Sequence, residues 1–225
     1  MRFQDAARDA RAVVYAGIQA DPLVARAAEL LVTATHGQRI LARAVMNGES
    51  TDPGAWRTMF PSLFDVAIGD DGRRVSSESI LLAALAVADR GERVRSQVRG
   101  AIVEELSARL LAQRVEATAV RRERRILFDG VRAEIHPYDV TVERDSGPEA
   151  YDCKWGARGI NADVLHQLDD ARTHAGDEDE RLVVGLVVFD AVRSCRVRLA
   201  AQTAPHAATE IVPIEGLDAL AGRIG

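Results

Sequence analysis

Apolar residues in the first half of the chain recur at intervals of three and four positions, the spacing of a helix buried on one face. Asp21-Pro22 and Asp52-Pro53 each supply an N-cap followed by proline at the first helical position. The polar segment SSES precedes another apolar helical stretch, ILLAALAVADR. The pattern therefore predicts an all-α region over residues 1–95. A first helical face there would contain Ala6, Ala10, Val13, Val14, Gly17 and Ile18.

From about residue 98 the pattern becomes a mixture of helix and strand signals. An amphipathic helix, VRGAIVEELSARLLAQRVEA, is followed by the strand-type runs ILF, YDVTVER and AYDCKW, and then by a helix capped by Asn161. The continuous apolar run in RLVVGLVVFDA is typical of a central strand covered on both faces. We predict a further strand at RVRLAA and a short helix at LDALAGRI. The element order predicts an α/β domain with a mixed sheet over residues 96–225.

Composition and charge narrow the class of protein. The two cysteines, Cys153 and Cys195, form neither a CxxC pair nor a disulfide framework, which favours a reducing, cytoplasmic setting. No segment approaches the roughly 18 uncharged apolar residues of a membrane-spanning helix, so we expect no membrane partner. The net charge of −5 is not typical of a nucleic-acid-binding protein. A catalytic cleft on an acidic protein can nevertheless be locally basic.

Lys154 is the only lysine in the chain, which otherwise uses arginine for positive charge. Residues two apart in a strand point to the same side. Asp152 and Lys154 therefore share one face of the run AYDCKW, and Cys153 lies on the other. Asp139 falls on the polar face of the preceding run, and a short turn joins the two runs as a hairpin. The hairpin predicts that Asp139 lies near Asp152.

The chemistry of these three side chains favours phosphodiester hydrolysis. Two carboxylates a few ångströms apart repel each other and are costly without a cation between them. Mg²⁺, or Mn²⁺ in its place, suits such a pair because Mg²⁺ binds through one or two carboxylates, waters and substrate phosphates. Lys154 can orient or deprotonate a water molecule, whereas an arginine stays protonated. The alternative is an exposed ion pair between Asp152 and Lys154, which would contribute little energy.

Asp139 in the segment PYD, followed one strand later by DCK at residues 152–154, resembles the motif of the PD-(D/E)XK nuclease superfamily. That superfamily has the restriction-endonuclease-like fold, and its α-β-β-β-α-β core matches the predicted element order. The segment GAIVEELSARLL is similar to the first core helix of Mrr-like restriction enzymes. The resemblance covers about residues 98–191. It implies that Asp139 and Asp152 hold the metal, with the Cys153 carbonyl as a further ligand, and that Lys154 positions or activates the attacking water.

Two helical residues complete the site that the resemblance implies. Glu104, rather than its neighbour Glu105, would bind the metal through water or hold a second ion. Gln167 would orient the site or touch a phosphate. The implied activity is that of a metal-dependent endonuclease acting on DNA rather than RNA, in bacterial defence against phage, restriction or repair. Cutting both strands of a duplex calls for two active sites, so we expect a homodimer. The helices of residues 1–95 would dimerise, bind a protein partner or contact substrate.

Alternatives remain open for the function and for several residues. A catalytically silent nucleic-acid-binding or regulatory subunit could have the same fold, because folds outlast their chemistry. An RNA-directed nuclease or toxin could use the RDSGPE turn and the WGARGIN loop to contact its substrate. The arginine-rich residues 121–125 could grip phosphates or form a solvated helix end. We interpret His136 and His166, which flank the proposed site, as structural.

Overall fold

The computed structural model describes residues 1–6, 10–65, 71–132, 134, 136–145, 147–178, 180–202 and 209–223. The chain divides into two compact units. The helical unit is Ala10–Leu106, and the sheet unit combines Met1–Asp9 with Ser107–Gly225. This boundary lies about 11 residues after the expected one at residue 95, within the same helix, Glu92–Leu111. The sheet unit also includes the start of the chain, which was expected to belong to the helical region.

The helical unit is formed by seven helices within the described residues. Its two Asp-Pro starts are confirmed, since Asp21 accepts a hydrogen bond from the Leu23 amide and Asp52 accepts one from the Gly54 amide. The long α6 begins at Asp71, before the SSES segment expected to cap it. The helices are α1 Ala10–Gln19, α2 Pro22–Val32, α3 His36–Asn47, α4 Pro53–Met59, α5 Pro61–Phe64, α6 Asp71–Ala88 and α7 Glu92–Leu111, of which α7 continues into the sheet unit.

The core of the helical unit lies where α2 and α3 pack against α6. Leu31, Leu41 and Leu81, one from each helix, are fully buried there. The expected apolar face of the first helix is not confirmed, because Val13 and Val14 are both exposed. None of the helices in the described part of the chain combines the length and the hydrophobicity that crossing a membrane requires.

The sheet unit has the α/β architecture with a mixed open sheet that the sequence predicts. The strand order is β1-β2-β4-β5-β6-β7, and β3 pairs with β2. The pairs from β1 to β5 are antiparallel, whereas β5, β6 and β7 are parallel to one another. The strands are β1 Arg2–Asp5, β2 Val120–Phe128, β3 Val131–Arg132, β4 Tyr138–Val142, β5 Glu149–Lys154, β6 Val183–Val188 and β7 Glu210–Val212. The helices are α8 Ala162–Asp177, α9 Val192–Ala200 and α10 Leu217–Leu220.

One expectation for this unit was wrong, and one of two open alternatives is excluded. The run RVRLAA was expected to form a strand, but it lies in α9. Cys195 is buried and Leu199, four residues later on the same side of the helix, packs on the core. This helical spacing outweighs the short strand-like alternation of the run. Residues 121–125 lie in β2 and not at a helix end. Within β2, Arg124 pairs with Glu143 and Arg125 pairs with Glu134.

The prediction of a buried central strand is confirmed by β6. This strand lies between β5 and β7, and its residues from Val184 to Val188 are all buried. Leu165 and Leu168 of α8 pack in the same apolar cluster as Leu186. Because β5 and β6 are parallel, Lys154 at the end of β5 lies beside Val188 at the end of β6. The end of this parallel pair is therefore the edge at which the candidate site is built.

At the opposite end of β5, the buried carboxylate of Glu149 is fully paired. Arg114 donates to both of its oxygens, Arg144 donates at 3.0 Å and the Tyr151 hydroxyl donates at 2.7 Å. Burial alone would raise the pKa of Glu149, but the hydrogen bonds from Arg114 and Tyr151 and the charges of both arginines outweigh it, so the pKa is lowered. This cluster ties Arg114, which follows α7, to the start of β5.

We expect Glu149→Gln to lower the free energy of unfolding of the sheet unit by about 3 kcal/mol at pH 7, because it removes the buried counter-charge that Arg114 and Arg144 share. A lowered carboxyl pKa contributes stability above the unfolded value of about 4.3 that is lost as the pH falls through the folded value. The difference between parent and variant should therefore shrink below about pH 4.

Urea unfolding followed by Trp155 fluorescence in a Trp56→Phe background measures this difference in the sheet unit alone. The control is Asp169→Asn, which removes a partly exposed salt bridge to Arg172, three residues later in the same helix. Its effect should stay below about 0.5 kcal/mol. An effect of Glu149→Gln as small as that of the control would contradict the assignment of Glu149 as a stabilising buried ion pair.

Candidate active site

The antiparallel pairing of β4 with β5 brings the two predicted carboxylates together. Val140 pairs with Tyr151, and continuing that register by one position places Asp139 opposite Asp152. Residues directly opposite in an antiparallel pair have side chains on the same face of the sheet. The sequence-based prediction that Asp139 lies near Asp152 agrees with this register.

Asp139 is held by the backbone of the neighbouring strand and by the single lysine. Its Oδ2 atom accepts a hydrogen bond from the Cys153 amide at 2.6 Å and lies 3.9 Å from Lys154 Nζ. Burial raises the pKa of the Asp139 carboxyl, whereas the Lys154 charge, the Cys153 amide and the charge of His136 oppose the rise. The net direction is upward, so the ionised form of Asp139 is under-compensated.

Asp152 is the least compensated charge in this cluster. Asp152 is only 4% exposed, and its carboxylate makes no hydrogen bond or ion pair within the described part of the chain. Burial raises the pKa of Asp152 to about 7; Lys154 lowers it, and the charges of Asp139 and Glu123 raise it further. A buried carboxylate that lacks a partner is expensive, and a bound cation would remove that cost.

The side chain of Cys153 lies away from this cluster, as the alternation of β5 predicts. Its sulfur is buried and lies 3.5 Å from the Ser107 hydroxyl oxygen. Cys153 therefore contributes its amide to the site, through the hydrogen bond to Asp139. The expected role of the Cys153 carbonyl as a metal ligand stays a prediction.

Gln167 of α8 orients the segment that leads into β4. It is 2% exposed, and its Oε1 atom accepts a hydrogen bond from the His136 amide at 3.0 Å. The Tyr138 hydroxyl in turn donates to the Gln167 carbonyl at 3.4 Å. Of the two roles expected for Gln167, these contacts favour orientation of the site over contact with a phosphate. His136 is exposed, and its charge opposes the rise in the pKa of Asp139.

Glu104 belongs to the helical unit, whereas the aspartates and Lys154 belong to the sheet unit. It is 4% exposed, and its carboxylate accepts hydrogen bonds from the Tyr15 hydroxyl at 2.5 Å and from Gln19 Nε2 at 2.8 Å. Glu105 is partly exposed, so Glu104 is the more buried of the two candidates. Two donors from α1 fix the orientation of Glu104. Its expected role beside the metal stays a prediction.

Glu123 is a further acidic residue at this site that the sequence analysis missed. The pairing of its two neighbours with Val140 and Tyr138 places Glu123 opposite Asp139, and its charge contributes to the raised pKa of Asp152. Its φ of 53° is in the left-handed region, which costs about 1–3 kcal/mol for a residue other than glycine. The only sequence signal was a single acid among the four arginines of RRERR.

The donor set of Asp139 and Asp152 fits a hard divalent cation. Within the described residues, no group of three or more His, Cys, Asp and Glu side chains is arranged to hold a metal ion. One or two carboxylates are nevertheless what Mg²⁺ usually takes from a protein, because waters and substrate phosphates supply its other ligands. The unpartnered Asp152 carboxylate is the observation that favours a cation here.

Comparison of the chain with protein-family models, with curated proteins and with solved structures finds no match. The chemistry of the site therefore has to be argued from its own residues.

We expect the stability of the metal-free protein to fall as the pH rises from about 4 to about 7. The raised pKa of Asp152 means that the folded state binds more protons than the unfolded state in this window, and the loss amounts to about 4 kcal/mol. Asp152→Asn should remove the part of this dependence that comes from Asp152 and raise the stability in EDTA at pH 8 by about 2 to 4 kcal/mol.

Thermal unfolding with EDTA and with Mn²⁺ tests whether ionised Asp152 destabilises the metal-free protein and whether a bound metal restores the lost stability. A metal at a hundred times its dissociation constant stabilises the folded state by about 2.7 kcal/mol. The parent should gain melting temperature with Mn²⁺, and Asp152→Asn should gain much less. An equal response of parent and variant to Mn²⁺ would show that Asp152 holds no metal.

Proposed function

We propose that the protein is a metal-dependent nuclease that hydrolyses phosphodiester bonds, with DNA as the preferred substrate. The observation that carries the proposal is the buried, unpartnered carboxylate of Asp152, opposite Asp139 and on the strand that carries the only lysine. A structural ion pair would place its charges in contact, whereas this arrangement leaves carboxylate oxygens available to a cation.

The order of elements supports a restriction-endonuclease-like core. Apart from the two-residue β3, the chain runs α7, β2, β4, β5, α8 and β6, which is the α-β-β-β-α-β order of the PD-(D/E)XK superfamily. The acidic residues and the lysine lie on β4 and β5, as that superfamily's motif requires. Glu104 on α7 and Gln167 on α8 occupy the helices on which the resemblance places them.

In the proposed site, Asp139 and Asp152 would hold Mg²⁺ or Mn²⁺, with the Cys153 carbonyl as a further ligand. The bound ion would polarise the phosphodiester and lower the pKa of a water molecule. Lys154, whose Nζ lies 3.9 Å from Asp139, positions the attacking water, whose proton passes to solvent. The water oxygen bonds to phosphorus, one P–O ester bond breaks, and the leaving oxygen takes a proton from solvent.

Cleavage of duplex DNA on both strands by this site requires two copies, so the proposal includes a homodimer. Restriction, defence against phage and repair are the settings in which such an enzyme would act. The helical unit would then supply the dimer contact, a protein-partner site or additional contacts to the substrate.

The test is cleavage of plasmid, single-stranded DNA and RNA by the parent, Lys154→Ala and Lys154→Arg, with Mg²⁺, Mn²⁺ or EDTA. The parent should cut only with metal. Both lysine variants should lose at least about a hundredfold in rate, because neither alanine nor the larger, planar guanidinium of arginine places a compact ammonium beside the attacking water. Arg181→Ala, an exposed arginine before β6 at the far end from Lys154, should cut like the parent.

Undiminished cutting by Lys154→Ala would remove Lys154 from the mechanism. No cutting by the parent, together with no Mn²⁺ binding that depends on Asp139 and Asp152, would overturn the catalytic proposal as a whole.

A catalytically silent nucleic-acid-binding or regulatory subunit with the same fold is the second candidate. This candidate predicts that the protein binds oligonucleotides without cleaving them in the presence of metal. It also predicts that Asp152→Asn binds oligonucleotides as tightly as the parent.

A further inference from the structure

The loop of residues 155–160, directly after Lys154, is tied to the sheet unit at several points. The buried Asp190 carboxylate accepts a hydrogen bond from the Ala157 amide at 3.0 Å. Arg198 Nε donates to the Ile160 carbonyl at 3.0 Å. The Trp155 ring stacks on Phe189, with ring centroids 5.0 Å apart. These contacts hold the backbone of the loop in a fixed position.

Gly159 brings this loop against the lysine. A Cβ atom added at Gly159 would lie 2.7 Å from Lys154 Cβ and 2.8 Å from Lys154 Cγ, which is closer than real Cβ contacts. Any other residue at this position would have to displace either the loop or the aliphatic stem of Lys154. The same substitution at Gly156 would make only an ordinary contact of 3.6 Å with an Asp190 oxygen. Gly159 is therefore a steric requirement for the observed position of Lys154.

Arg158 is the only fully exposed residue of this loop. It makes no hydrogen bond or ion pair within the described part of the chain, whereas Arg114, Arg124 and Arg125 of the same unit are each paired with a carboxylate. Its Cα is about 3.8 Å from that of Gly159, which in turn touches Lys154. An arginine without a carboxylate partner within the described residues therefore lies one residue from Gly159, which packs against Lys154.

We propose that the 155–160 loop is a phosphate-binding element, in which Arg158 contacts a backbone phosphate of a nucleic acid and Gly159 positions Lys154 beside it. The inference rests on the proposed function for its ligand, a polynucleotide. Guanidinium matches phosphate oxygens with two parallel hydrogen bonds. Because the loop backbone is already held, only the Arg158 side chain remains to be ordered on binding.

The first test measures binding to fluorescent single-stranded and duplex oligonucleotides by anisotropy in EDTA, where no cleavage occurs. Arg158→Ala should weaken binding about tenfold, the loss expected for a charge-assisted hydrogen bond. It should also reduce the dependence of log K on log salt by about one unit, because one fewer counterion is released. Arg181→Ala is the matched control and should change neither quantity.

The outcomes separate this inference from the proposed function. Equal binding by Arg158→Ala and Arg181→Ala overturns the inference, even if the parent cuts DNA. A parent that binds no oligonucleotide overturns it as well. A selective loss in Arg158→Ala with no metal-dependent cleavage by the parent supports the loop as a phosphate site and removes only the catalytic proposal.

The second test uses the single lysine as a spectroscopic probe of Gly159. Reductive methylation with ¹³C-formaldehyde labels only Lys154 and the Met1 amine, so the spectrum contains one reporter of the site and one internal reference. Gly159→Ala should shift the Lys154 resonance and lower the cleavage rate, whereas Gly156→Ala should leave both near the parent values. An unshifted Lys154 resonance in a folded Gly159→Ala variant would contradict the positioning role.

Discussion

Burial of Asp152 on β5, opposite Asp139 on β4, places two negative charges where water screens them poorly. The pairing of these strands leaves the cluster no freedom to separate the charges, because the register is set by the backbone hydrogen bonds on either side. Lys154, at 3.9 Å from Asp139, compensates only part of this charge. Burial, together with the charges of Asp139 and Glu123, therefore raises the pKa of Asp152. The proposed chemistry depends on this poorly compensated negative charge.

The two ends of β5 show how environment gives the same kind of group opposite roles. Glu149 at the start of the strand is as buried as Asp152, three residues later. Arg114, Arg144 and a tyrosine hydroxyl satisfy the glutamate, and its pKa is lowered. Asp152 has no such partners, and its pKa is raised. Glu149 therefore contributes to stability, whereas the proposed function gives Asp152 its role in the site, since buried and under-compensated charges cluster at functional sites.

The frame around the site is built from buried polar side chains that hold backbone groups. Gln167 fixes the entry to β4 through the His136 amide, and Asp190 fixes the loop after β5 through the Ala157 amide. Both lie near the carboxyl ends of the parallel strands β5 and β6, the edge at which open α/β sheets generally bind ligands. The lysine is thus supported by rigid elements on both sides, which a site that positions water requires.

The sequence by itself determined the features that depend on local geometry. The two-residue period of a strand placed Asp152 and Lys154 on one face, the Asp-Pro pairs marked helix starts, and the apolar run identified β6. Tertiary structure decided whatever depends on partners distant in sequence. The RVRLAA run is a helix because Cys195 and Leu199 pack on a core formed elsewhere, and residues 121–125 are a strand because β1 and β4 flank them. The left-handed Glu123 and the missing partner of Asp152 also arise only when the strands pair, since no local pattern encodes which charge will be buried without a counter-ion.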